Sequence, residues 1–173
     1  MKAVPKFRDT VMEIASKYGI DLEGTGAYLR LEQEACGNLV IENIGGSRIS
    51  VTNYIQVGDD WIADPGIAVF TEHVPNGPER PTEAWEWYPI EINQFFGGWQ
   101  LCAEPDLRGD LMVYDVEQQA DLARVVETSV ASMLIVQDWL DAGTLATDAI
   151  YARTLDEIHA RDIRMDEMED VPF

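Results

Sequence analysis

The chain has 173 residues, with 32 acidic side chains against 12 basic ones and a formal net charge of −20. A chain of this length suits one domain, or one domain with a helical appendage, and it buries roughly 70% of its unfolded surface, so a core forms without a disulfide or metal staple. An apolar fraction of 46% and five tryptophans exclude a disordered polar chain, and no apolar run approaches the roughly 20 residues that cross a bilayer.

In chain order, "MKAVPKFRDTVMEIASKYG" is a charged amphipathic stretch rather than a signal peptide. Phe7, Val11, Ile14, Ala15 and Tyr18 recur at helical spacing and Gly19 supplies a stop, which predicts a helix over 5–18. Period-two segments follow. "AYLRLEQ" sets Leu29 and Leu31 against Tyr28, Arg30 and Glu32, and "NLVIENI" closes at Gly45-Gly46. In "RISVTNYIQVG", Ile49, Val51, Asn53, Ile55 and Val57 share one face. Gly58-Asp59 then reads as a hairpin turn into the extended run "WIADPGIAVFTEH", with Asp64-Pro65-Gly66 as a second turn or bulge because proline cannot donate to a ladder.

Residues 74–84 hold three prolines and read as a loop. "WEWYPIEI" reads as extended, "NQFFGGWQLCAE" is ambiguous between helix and strand, "PDLRG" is a turn and "LMVY" a short strand. Asp115 with Gln118 resembles a capping box opening a long helix over 116–142, stopped by Gly143. Its expected buried stripe is Leu122, Val125, Val126, Val130, Met133, Leu134 and Trp139. A final helix over about 147–160 precedes an acidic tail. The expected fold is α+β: a single antiparallel sheet of about five or six strands packed with an N-terminal helix and a long C-terminal helix. Residues 1–143 form this domain and residues 144–173 a helical appendage with an acidic tail.

The acidity is uneven. Residues 1–30 carry five bases (Lys2, Lys6, Arg8, Lys17, Arg30) against four acids (Asp9, Glu13, Asp21, Glu23), so residues 31–173 hold 28 acids and seven arginines, a net of −21. No lysine follows Lys17. Such a field repels nucleic acid and anionic membrane and draws in basic partners. The expectation is a cytoplasmic protein of the host cell that touches neither nucleic acid nor membrane directly.

Catalytic signatures are thin. An EF-hand loop begun at Asp59 would place Trp61 and Ala63 at ligand positions and Phe70 at the twelfth, so it fails. A magnesium site from Asp59, Asp60 and Asp64 competes with the hairpin-turn reading, which the glycine and proline favour. Cys36 and Cys102 form no CxxC, and two histidines make no zinc set. GxSxG, phosphate-loop, GxGxxG and HExxH patterns are absent. His73 and His159 read as rim or solvated residues, and Trp61, Trp85, Trp87 and Trp99 as core and rim packing. No catalytic residue, metal or cofactor is assigned.

Tyr54, Gln56, Gly58, Asp59, Asp64, Pro65, Trp87, Pro89, Phe96, Gly97 and Gln100, in this order, resemble the shared pattern of a family of uncharacterised proteins from bacterial plasmids and phages. The resemblance covers residues 38–101. It departs at Val57, where the family carries asparagine. It brings no activity; it implies a mobile-element setting, in which small acidic proteins often antagonise host defence.

Together these readings lead to an acidic interaction protein that inhibits a host defence nuclease or CRISPR-type complex by occupying its nucleic-acid-binding surface, as a DNA mimic with anti-CRISPR or anti-restriction action. The expected partner-binding residues are Asp59, Asp60, Asp64, Glu83 and Glu86, with Asp156, Glu157, Asp162, Asp166, Glu167, Glu169 and Asp170 of the last helix and tail. Three alternatives have sequence support. One is the soluble acidic surface of a high-salt cytoplasm, the second a small metal-dependent enzyme using the 59–64 aspartates, and the third a homodimer through the long C-terminal helix, which is compatible with any function.

Overall fold

The computed structural model describes residues 1–24, 26–75 and 84–145. Its main element is an antiparallel sheet of seven strands: β1 (Tyr28–Gln33), β2 (Gly37–Asn43), β3 (Arg48–Val57), β4 (Asp60–Val74), β5 (Ala84–Gln94), β6 (Gly98–Leu101) and β9 (Thr144–Leu145), in the order β6-β5-β4-β3-β2-β1-β9. The alternation of β3 holds over its first half, where Ile49, Val51 and Asn53 are buried, but Ile55 is half-buried and Val57 exposed because the hairpin end runs out past the core. Gly58, at φ +66°, lets the chain reverse in two residues, so that Val57 faces Asp60.

The prolines of β4 and β5, Pro65 and Pro89, sit at bulges, where a missing N–H costs no ladder bond. Around Asn53 the register skips from Thr52–Gly66 to Tyr54–Ala63, leaving Asp64 and Pro65 opposite one residue, with Asp64-Pro65 in the cis form. A second skip opposes Val69 to Pro89 and Ala68 to Glu91. It leaves Ile90 as the extra residue and turns its side chain into a separate cluster with Phe70 and Ala103.

One face of the sheet carries the helices. The first, α1 (Pro5–Lys17), buries Phe7, Thr10, Val11, Ile14 and Ala15, and its Phe7 ring meets Trp87 edge-on at 6.3 Å. The second is a 21-residue helical run made of α2 (Val116–Val125), a π-helical turn (Val126–Val130) and α3 (Ala131–Val136). Leu122, Val126, Val130 and Leu134 are buried along it at four-residue intervals. That interval exceeds the about 3.6 residues of an α turn, so an unbroken helix would carry the stripe away from the sheet; the wider π turn absorbs the excess. Val125 and Met133 are only half-buried against the core.

The same turn places Glu127 against the start of α1. Val4, the residue before that helix, offers no side-chain cap; instead the Glu127 carboxylate accepts the backbone N–H of Lys6 at 3.0 Å and of Phe7 at 3.2 Å. It satisfies two orphan donors and faces the positive end of the helix dipole. Glu127→Ala is therefore expected to lose about 1–2 kcal/mol in urea unfolding, with Glu127→Gln recovering part of it. Equal stability of Glu127→Ala and the parent chain would contradict this capping role.

Several boundaries differ from the sequence reading. The sheet has seven strands rather than five or six, and a second, two-stranded sheet of β7 (Ala103–Pro105) and β8 (Leu111–Val113) lies against the other face of β4 and β5, where Leu111 and Val113 pack with Phe70 and Tyr88. The ambiguous segment 93–104 divides into the end of β5, a turn, β6 and the start of β7. Strands of two to four residues are too short to display an alternation. The long helix ends at Val136, not 142, because Asp138 adopts φ +57° and its carbonyl accepts the N–H groups of Asp141 and Ala142. Asp115 does cap its start, accepting Gln118 N–H at 3.0 Å. The helix expected over 147–160 lies outside the described residues.

Candidate functional site

Antiparallel connectivity gathers three turns at one end of the sheet: 34–36 between β1 and β2, Gly58-Asp59 between β3 and β4, and 95–97 between β5 and β6. Glu34, Asp59 and Asp60 are exposed there, and Asp64 is half-buried. Asp64 has a bracing role as well. Its carboxylate accepts Phe95 N–H at 3.4 Å and its carbonyl accepts the Asn53 side-chain amide at 3.0 Å, which ties the β5–β6 turn to the β3–β4 hairpin.

Four large aromatic side chains stand on these two hairpins, Trp61 beside the Gly58-Asp59 turn and Phe95, Phe96 and Trp99 at the β5–β6 turn, which the register sets level with Asp64. Phe96 is 94% exposed, Trp99 62%, Trp61 50% and Phe95 43%. Phe95 and Phe96 stack edge to face at 4.6 Å. Trp99 donates its indole N–H to Glu91 at 2.7 Å, which fixes the ring while leaving its face in water. By strand alternation Trp61 and Trp99 stand on the face opposite the helices. No Lys or Arg occurs between Arg48 and Arg80 or between Arg80 and Arg108, so the turn-bearing ends of both hairpins carry none. Water-exposed aromatic rings on adjoining turns are unusual for side chains that could have entered a core, and such patches mark contact surfaces.

The expected site residues therefore separate. Asp59 and Asp60 share the β3–β4 turn and Asp64 lies farther along β4 at the bulge, level with the β5–β6 turn, whereas Glu86 lies far along β5, opposite Glu72 in the ladder and accepting a hydrogen bond from the Tyr88 hydroxyl. Glu83, Asp156, Glu157, Asp162, Asp166, Glu167, Glu169 and Asp170 lie outside the described residues. Among the described residues no three His, Cys, Asp or Glu side chains are placed to hold a metal ion, which leaves the metal reading of 59–64 without a ligand set.

The sequence pattern undervalued Phe95, Phe96 and Trp99. The informative signal was Gly97-Gly98: a turn at that pair, with Gly98 at φ +73°, leaves its flanking aromatics no core to enter. The other tryptophans do pack, Trp87 and Trp139 being buried and Trp85 lying edge-on to His73 at 5.3 Å. Both cysteines are free. Cys102 is buried, and desolvation, with a smaller contribution from the Asp115 charge, raises its thiol above the usual range against a hydrogen bond from Gln100. Cys36 is half-buried.

The chain matches no protein-family model, no curated protein and no solved structure. No helix among the described residues is long and apolar enough to cross a membrane.

Proposed function

We propose that the chain is an acidic interaction protein which occupies the nucleic-acid-binding surface of a basic host defence nuclease or CRISPR-type complex, and that it grips this partner with the turn-bearing end of its sheet. The observation that carries the reading is that exposed Trp61, Phe95, Phe96 and Trp99 and the carboxylates Asp59, Asp60 and Asp64 all lie toward the turn-bearing ends of two neighbouring hairpins, where no Lys or Arg occurs. A groove built to bind phosphates is lined with Lys and Arg. Carboxylates answer its charge, and aromatic faces add cation–π contact with the same guanidinium and ammonium groups. The net charge of −20 steers such a partner inward from a distance. The resemblance to plasmid and phage proteins supports the same setting.

The test measures binding to purified defence nucleases and CRISPR-type complexes across a salt series, with duplex DNA as competitor. DNA is expected to displace the protein, and affinity to fall at least tenfold between about 50 and 200 mM salt. Trp61→Ala, Phe96→Ala and Trp99→Ala together are expected to weaken binding by more than about 30-fold, as buried aromatic anchors do. Affinity that ignores both salt and DNA, or a triple variant that binds as well as the parent, would refute the proposal.

A further inference from the structure

The opposite end of the sheet holds a cleft of about 480 Å³ between α1 and the strand ends, within the range of about 300–1,000 Å³ typical of small-molecule sites. Among the described residues its interior is apolar: Met12 from α1, Leu22 from the following loop, Ile49 from β3, and Trp85 and Trp87 from β5. Trp87 is buried, while Trp85 stays 37% exposed and presents an indole to the opening.

Several polar groups around this interior, Asn43, Thr71 and Arg8, are already hydrogen-bonded within the protein. The Asn43 amide donates to Leu22 O at 2.8 Å and its oxygen accepts Gly45 N–H at 3.0 Å, and Thr71 donates to Ser47 O at 3.2 Å. Arg8 is spent on Asp9, at 2.7 and 2.8 Å, and on Trp85 O at 2.8 Å. The walls are held open by bonds of their own, so an occupant gains mainly by apolar contact. Arg8 and Asp9 cancel, and Glu23 at the mouth has no ion-pair partner among the described residues. Among the described residues the lining is therefore left with one negative charge, inside a protein that is itself strongly negative.

We infer that this cleft binds a small planar aromatic molecule carrying a protonated amine, with its rings against Trp85, Trp87 and Met12 and its ammonium toward Glu23. An aromatic carboxylate meets the wrong charge, and a purely polar ligand gains little against an interior of Met12, Leu22, Ile49, Trp85 and Trp87. The inference is independent of the partner surface at the other end of the sheet.

Calorimetric titration of the full chain with 2-naphthylmethylamine, 2-naphthalenemethanol and 2-naphthylacetate tests it. The amine is expected to saturate at one equivalent and to bind at least tenfold tighter than the acetate. Glu23→Gln should reduce the amine's advantage about three- to fivefold, the size of one screened charge contact. Met12→Trp and Thr71→Trp, each checked for native circular dichroism, should abolish binding by filling the cleft from opposite walls. The absence of saturable heat with the amine, an acetate that binds equally well, or binding that survives a correctly folded tryptophan variant would overturn the assignment.

Discussion

Gly37→Ala is expected to destabilise the protein by about 2–5 kcal/mol, whereas Gly45→Ala loses only about 1–2 kcal/mol. Both glycines hold positive φ, +87° and +77°, a region where an L side chain costs about 1–2 kcal/mol. They differ in their surroundings. A Cβ on Gly45 meets nothing within 4 Å, but a Cβ on Gly37 would lie 2.0 Å from the Tyr54 carbonyl oxygen of β3. That oxygen belongs to a central strand, so relief requires β2 and β3 to part where Asn38 pairs with Tyr54. Displacement of this kind adds about 1–3 kcal/mol to the backbone strain. Urea unfolding of the two variants separates the contributions, and equal losses would mean that the close approach at Gly37 is absent in solution.

The second large effect is at Trp139. Trp139→Ala should cost about 3–5 kcal/mol, because the indole is fully buried and its removal leaves a void the size of two fused rings. Its N–H donates to the Gln137 side chain at 2.8 Å, so Trp139→Phe keeps most of the packing and loses that bond, at about 1–2 kcal/mol. Trp139 also lies where the chain leaves α3 and returns to the sheet. Beyond it, Tyr18 donates to Gly143 O at 2.7 Å and Thr144 to Glu32 O at 3.1 Å, which seats β9 beside β1. Hydrogen exchange at Thr144 and Leu145 should accelerate in Trp139→Ala while exchange in β3 and β4 keeps its order of protection. Uniform acceleration across the sheet would show that Trp139 supports the whole core rather than this return.

Elements with long, strict periodicity were legible from the residues. The α1 stripe of Phe7, Val11 and Ile14, the alternation of Ile49 and Val51, and the glycine-led turn at Gly58 each repeat a local rule over enough positions to leave one interpretation. The pairing of Asp64-Pro65 with a bulge was legible for a different reason, since proline's missing donor confines it to such places. Of the short strands only β8 was legible, as the apolar run "LMVY"; β6, β7 and β9 were not, because two to four residues carry no period. Nor was the π turn: the residues at 126–130 suit an α-helix equally well, and only the demand that Val126, Val130 and Leu134 all face one sheet selects the wider turn.

The same division holds at the surface. Sequence by itself determined the charge, the barren stretches without a base around the hairpins, and the local identity of each turn, because these depend on composition and nearest neighbours. Only the tertiary structure decided that turns separated by more than twenty residues point to one end of a sheet, with Asp59, Asp60 and Trp61 on one hairpin end and Phe96 and Trp99 on the neighbouring one, and that Glu86 lies toward the other end. The physical reason is that strand order and register arise from burying one apolar face against two helices, a collective requirement that no single segment states.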